Sequence, residues 1–307
     1  MKPLTHILST EQFTRATLEQ LFKDTTAIEK LVNEKGGDDR LKHRVVATLF
    51  YEPSTRTSSS FIAATQRLGG TVIAINDAKT TSHAKGESLQ DTIRTLEQYV
   101  DCIVLRHPEI GAVRQASEVA SVPVISAGDG GGEHPTQALL DVYTTKKETG
   151  RLDNLTVAFG TDLLHSRTIR SFAYMLGKFK NNHLIFVSPK ELKIGEDVKI
   201  YLKKQGTTFE ETDDMESALK KADVIYWNRI QKERFTGSVP AQKFVIKTKH
   251  LALLKPDAVI LNPLPRIDEI ETEVDKDPRA AYFQQMRYGL YMRMALLDNV
   301  INNRRAG

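Results

Sequence analysis

The chain has 307 residues, 40% of them hydrophobic and 27% charged, and a formal net charge of +4 from 43 basic and 39 acidic side chains. That length allows two domains of roughly 150 residues, each with a core of its own. The basic excess is too weak to argue for nucleic acid and is compatible with a site for small anions. The single cysteine, Cys102, excludes an intrachain disulfide and a four-thiolate zinc site. The opening stretch MKPLTHILSTEQF has no apolar signal core, and no run approaches about 18 apolar residues. The expectation is a protein of the reducing cytoplasm that spans no membrane.

In chain order, residues 9–35 are predicted to form a helix, with STEQ as a capping box. A charged loop, EKGGDDRLKHR, leads to VVATLF, a short apolar strand. A second helix runs to about residue 68 and stops at GG. TVIAI is the next strand, AKTTSHAKGES a polar loop, LQDTIRTLEQY a helix, DCIVLR a strand, and VPVISAG another strand after one more helix. Gly128 to Gly132 supplies four glycines in five positions, and Pro135 suits the first position of a helix. The rhythm then repeats through LTVAFG, HLIFVSP, TTFEET, DVIYWN and AVILNPLP. The last helix, about residues 280–299, is long and amphipathic and is expected to return to the first domain. Alternating strands and helices predict an α/β fold of two domains, each an open parallel sheet flanked by helices. The expected boundaries are 1–134, with 291–307 packing back on it, and 135–290.

Parallel sheets collect ligands beyond the carboxyl ends of their strands. Three such ends are unusual here. PSTRTSSSF follows the first strand; six of its nine residues carry hydroxyls and one a guanidinium. A helix starting there aims free backbone N–H groups at the strand exit, where Ser54, Thr55 and Thr57 add neutral donors and Arg56 a charged fork. Simple helix capping is the plainer reading of the same cluster. Arg106 ends a buried-looking strand and needs either a salt-bridge partner or an anionic ligand. His134 and Gln137 in GGGEHPTQ bracket a helix start, and an imidazole with a carboxamide suits a polar carbonyl group, as an oxyanion-hole donor does. The chain has no G-x-x-x-x-G-K-[ST] loop, and VAFGTDLLHSRT offers only Gly160 toward a dinucleotide fingerprint.

PSTRT, R followed by HP, HPTQ, RIQKER and PLPRIDEI, in this order, resemble the aspartate/ornithine carbamoyltransferase family, from about Leu41 to the C-terminus. QKER and PLPR resemble its aspartate-specific branch. The ornithine branch typically has a cysteine in an HCLP stretch, and this chain reads NPLP. The resemblance implies transfer of the carbamoyl group of carbamoyl phosphate to L-aspartate, giving N-carbamoyl-L-aspartate and phosphate in pyrimidine synthesis, with no cofactor and no metal. It implies that Ser54, Thr55, Arg56, Thr57 and Arg106 hold the phosphate, and that His134 and Gln137 contact the carbamoyl group. The carbonyls of Pro263 and Leu264 orient its amide end, and Arg167, Arg229 and Gln231 take the aspartate carboxylates. TTSHAKGES resembles a loop that enters a neighbouring subunit's site through Lys85 and either Ser82 or Thr81. The implied assembly is a homotrimer with shared active sites. In some relatives two trimers join dimers of a separate zinc-binding regulatory chain, and RIQKER and the short N-terminus look more like that class. Domain closure is implied too, with QKERFTGSVPAQKF as a suitable moving segment.

Three departures stand out: Thr161 and Ser166 replace the usual glycines of GDL and GRT, and Asn262 replaces the histidine of HPLPR. None deletes a principal ligand residue. The competing readings are a non-catalytic scaffold and an enzyme with another amino-acid acceptor. A scaffold would be expected to have lost some of Arg56, His134, Arg167 and Arg229, and all four are present.

Overall fold

The computed structural model describes residues 5–77, 82–231 and 241–302; of residues 82, 83, 241 and 242 it describes the backbone alone. The chain divides into two compact units, Met1–Thr136 with Arg287–Gly307, and Gln137–Met286.

In the first unit, strands β1 (Val45–Phe50), β2 (Thr71–Ile75), β3 (Cys102–His107) and β4 (Val124–Asp129) form one sheet in the order β2-β1-β3-β4. All pairings are parallel. Strands β1 and β3 are nearly continuous apolar runs, buried over most of their length, because helices cover both faces of such a sheet. The helices are α1 (Arg15–Lys35), α2 (Thr55–Arg67), α3 (Leu89–Leu96) and α4 (Ala112–Val119). One apolar cluster joins Ala47, Leu49, Ile103 and Leu105 of the sheet to Ile93, Val113 and Ala116 of α3 and α4.

The predicted first helix is in two pieces. Ser9 caps a short 3-10 turn, Thr10–Gln12, through the expected capping box. Phe13 is extended and 1% exposed, and Thr14 caps α1 reciprocally with Thr17. A second cap and the burial of one aromatic ring override helical continuity.

In the second unit, β5 (Thr156–Gly160), β6 (His183–Val187), β7 (Thr208–Thr212), β8 (Val224–Trp227) and β9 (Val259–Leu261) form a parallel sheet in the order β7-β6-β5-β8-β9. Helices α6 (Arg167–Leu176), α7 (Glu196–Gln205) and α8 (Met215–Lys221) belong to it. Trp227 is fully buried and donates from its indole nitrogen to the carbonyl of Phe244 at 2.7 Å. A β-carbon at Gly160, its partner across β5 and β8, would lie 2.6 Å from the Trp227 ring. The glycine is there to admit the indole.

Helices α5 (Pro135–Thr149) and α9 (Tyr282–Asn302) carry the chain between the units. The last turns of α9 return to the first unit, as the sequence predicts. Arg293 donates to Ser60 Oγ at 2.9 Å and lies over the Phe61 ring, both on α2. Tyr291 donates to Asn33 at 3.1 Å and Asn299 to Asp24 at 3.2 Å, both on α1. The returning helix therefore braces the helix that opens with the hydroxyl cluster.

Candidate active site

In both sheets the strand order reverses direction at one place, the position at which open parallel sheets generally bind ligands, beyond the carboxyl ends of the strands. The reversal falls between β1 and β3 in the first unit and between β5 and β8 in the second. The singled-out residues emerge beside these two points.

Phe50 is paired with Arg106 across β1 and β3, so the PSTRT turn and Arg106 leave the sheet side by side. Ser54 is the N-cap residue of α2, yet its hydroxyl caps no backbone amide. It accepts from the Arg106 guanidinium at 3.4 Å instead. The Ser54 hydroxyl thus takes up none of the backbone donors in the first turn of α2, which the plain capping reading does not explain. Arg56 and Thr55 are exposed, while Thr57 is buried. Arg106 also donates through Nε to Glu52 at 3.0 Å. Of the two expectations for Arg106, the salt-bridge partner is the one observed: it is the Glu52 carboxylate, which precedes the PSTRT turn.

β4 pairs His107 with Asp129, which brings GDGGGEHP to the same end of the sheet. Gly130 adopts φ +53, and a β-carbon there would lie 2.7 Å from the carbonyl of Pro108. Glu133 accepts from both the backbone and the hydroxyl of Thr10, at 2.8 and 2.5 Å. This clasp fixes the residue before His134, which is buried immediately ahead of α5.

In the second unit, Gln137 lies on the first turn of α5 and donates its amide nitrogen to Asp141 at 2.8 Å. Asp141 is fully buried and also accepts from Tyr226 at 2.8 Å and Gln285 at 2.6 Å. Burial, and after it the Asp141 charge, push the Tyr226 phenol well above its ordinary range, so it serves as a permanent donor. With its NH2 group committed, Gln137 keeps its carbonyl oxygen for a ligand.

Arg167 is the first residue of α6, capped by Ser166 at 3.2 Å from the amide of Ile169. Arg229 and Gln231 lie on the turn that leaves β8. Asp162 joins the two segments, accepting from the backbone of His165 and of Gln231, each at 3.0 Å. Pro263 and Leu264 follow β9. Leu264 adopts φ +56, and its amide donates to Asn262 Oδ1 at 2.6 Å. Asn262 also donates to Glu269 at 2.8 Å. The asparagine at this departure from the family pattern is a buried brace for the Pro263–Leu264 turn.

Lys85 is exposed at the end of a short 3-10 turn, Ser82–Lys85. The Ser82 side chain and the whole of Thr81 lie outside the described residues, as do residues 232–240 of the expected moving segment. Among the described residues no cluster of three or more His, Cys, Asp or Glu side chains could hold a metal ion. Sequence reasoning missed Glu52, Asp141, Tyr226 and Asn228. Asp141 alone carried a signal, a carboxylate four residues after Gln137 and hence on the same helix face.

Residues 5–147 match the aspartate/ornithine carbamoyltransferase carbamoyl-P binding domain, and residues 153–300 match the Asp/Orn binding domain of the same family. The chain belongs to the aspartate/ornithine carbamoyltransferase family. It is 48% identical over 300 residues to aspartate carbamoyltransferase 1, chloroplastic, of Pisum sativum, covering 96% of this chain and 78% of the relative. Among solved structures, it resembles the catalytic subunit of M. jannaschii aspartate transcarbamoylase, with 42% identity and a TM-score of 0.93 over 99% of this chain and 100% of that one. It also resembles aspartate transcarbamoylase from Trypanosoma cruzi in complex with carbamoyl phosphate and aspartate, with 40% identity and a TM-score of 0.92 over 97% of each chain.

Proposed function

We propose that this carbamoyltransferase carries the carbamoyl group of carbamoyl phosphate to the amino group of L-aspartate, releasing N-carbamoyl-L-aspartate and phosphate for pyrimidine synthesis. The observation that supports the reading is that guanidinium and hydroxyl side chains leave the strands on either side of both sheet reversals. Ser54, Arg56 and Arg106 stand at one, and Arg167 and Arg229 at the other. A phosphorylated donor and a dicarboxylate acceptor are the ligands these two sets suit.

The donor carbon is already activated as a mixed anhydride, so no covalent nucleophile is needed. The neutral aspartate amine attacks it, a C–N bond forms, and the C–O bond to phosphorus breaks with its electron pair leaving on phosphate. The ammonium proton passes to that phosphate. Ser54, Thr55, Arg56, Thr57 and Arg106 hold the phosphate and oppose its growing charge. His134 donates to the carbonyl oxygen as it becomes an oxyanion. Gln137, turned by Asp141, accepts from the carbamoyl NH2 with its carbonyl oxygen, and the backbone carbonyls of Pro263 and Leu264 accept from the same group. Arg167 and Arg229, assisted by Gln231, take the two carboxylates of aspartate and so hold its amine for attack.

Lys85, with Ser82 or Thr81, reaches the site of a neighbouring copy in a homotrimer, and mass measurement with and without zinc-binding regulatory chains tests whether two trimers join through them. Mixing Arg56→Ala with Lys85→Ala chains then restores part of the activity in hybrid trimers; hybrids that stay inactive would remove the shared site. The cytoplasm is the proposed compartment, though the Pisum sativum relative is chloroplastic by name, and fractionation decides it. Among the described residues no helix is long and apolar enough to cross a membrane. The decisive assay supplies labelled carbamoyl phosphate with aspartate or ornithine and identifies the product. Carbamoyl-aspartate is expected; product with ornithine alone overturns the acceptor, and anion binding without turnover favours a scaffold.

A further inference from the structure

Thr161 and Ser166, the two hydroxyl residues that stand where the family pattern has glycine, reach the same residue. Thr161 Oγ1 donates to the backbone carbonyl of Asn228 at 3.0 Å, and the Asn228 side chain donates to Ser166 Oγ at 2.6 Å. Asn228 Oδ1 accepts from the Arg229 amide at 2.9 Å, and the Asn228 amide donates to Gly160 at 2.5 Å. All four polar groups of this buried asparagine are engaged. Ser166 Oγ accepts from Asn228 and from Ile169, which fills both its lone pairs, so its proton goes to Thr168 Oγ1 at 3.1 Å. One hydrogen-bonded frame therefore fixes the backbone of Arg229 and the first turn of the helix that begins at Arg167.

We propose that Asn228, gripped by the hydroxyls of Thr161 and Ser166, is a positioning residue that sets Arg229 relative to Arg167 and so selects the length of the dicarboxylate acceptor. The inference rests on the reading that these two arginines take the acceptor's carboxylates. Two guanidinium groups on a stiff frame measure the distance between two carboxylates. A frame that yields also admits an acceptor one methylene longer. Discrimination by a single methylene spans roughly 10–200-fold, so a loosened frame has that range to lose.

The test is steady-state kinetics on the full chain with aspartate and glutamate as acceptors, together with thermal midpoints. Asn228→Ala is expected to raise KM for aspartate about tenfold and to raise the glutamate-to-aspartate ratio of kcat/KM by a similar factor, with KM for carbamoyl phosphate changed less than about twofold. Ser166→Ala and Thr161→Val, which each remove one hydroxyl, shift the same two quantities by about threefold, and Ser166→Thr, which keeps the hydroxyl, restores both. These milder variants carry the test if Asn228→Ala does not fold. Unchanged aspartate KM and unchanged acceptor ratio in folded variants overturn the proposal. So does a rise in both substrates' KM values together with a fallen midpoint, which marks a purely structural residue. Arg229→Ala separates the two levels: if it leaves aspartate KM unaltered, the reading beneath the proposal fails, and if it raises that KM while the Asn228 series does not, only the frame fails.

Discussion

Tyr226→Phe removes one oxygen atom from the interior of the second unit and tests the Asp141 network directly. The phenol is fully buried and donates to a fully buried carboxylate at 2.8 Å, alongside donors from Gln137 and Gln285. The ring's packing against Phe159 and Phe172 is retained in the variant, so the loss is confined to the hydrogen bond. A hydrogen bond to a charged group is worth about 1.5–3 kcal/mol. For a unit of this size, Gln137–Met286, each kcal/mol moves the midpoint by roughly 2–4 °C, so a loss near 2 kcal/mol predicts a fall of about 4–8 °C. Calorimetry at neutral pH measures it. The same variant is expected to raise KM for carbamoyl phosphate a few-fold, because Asp141 holds the Gln137 amide less firmly. A midpoint within about 1 °C of the parent would refute the reasoning, since a buried carboxylate that loses such a donor at no cost is not relying on it.

Other consequences are open to measurement. Gly160→Ala places a β-carbon 2.6 Å from the Trp227 ring; overpacking of about 1–3 kcal/mol is expected, with a shifted emission spectrum from the chain's only tryptophan, and an unchanged spectrum and midpoint would contradict the packing argument. Arg56→Ala alters an exposed side chain, so the midpoint should hold while kcat falls roughly 10²–10³-fold; kinetics within twofold of the parent would remove Arg56 from the phosphate site. The Arg266 guanidinium beside Asp275 and the Arg279 guanidinium beside Asp277 hold both carboxyls below the usual carboxylate range. Their contribution is complete above the unfolded carboxylate pKa, near 4, and is lost as pH falls through the lower folded values. Asp277→Asn should flatten the acid limb of the midpoint profile below about pH 4, and parallel profiles would show that the pair does not contribute.

Much of the reaction's chemistry was legible locally. PSTRT, HPTQ and RIQKER each place their donors within a few consecutive residues, so the types and order of the candidate ligands need no tertiary information. The alternation of apolar runs with amphipathic stretches likewise announced two parallel sheets, since strand and helix periods are local properties. Capping is weaker evidence: Ser9 and Gln12 signal a helix start, but only the burial of Phe13 ends that turn and lets Thr14 open a new one.

What the sequence could not contain is the pairing of residues far apart along the chain. Strand order decides which loops flank a reversal, and so puts Ser54 beside Arg106 and the Arg167 helix beside the Arg229 turn. Burial decides which carboxylates become anchors: Asp141 gathers Gln137, Tyr226 and Gln285, the last 144 positions away. The departures at Thr161, Ser166 and Asn262 read as isolated oddities in the sequence. In the fold the first two meet at Asn228, and the third holds the Leu264 turn. The residues themselves named the chemistry; the orientation of each donor depends on partners that only packing brings within reach, because a hydrogen bond acts over about 3 Å and has no trace in sequence distance.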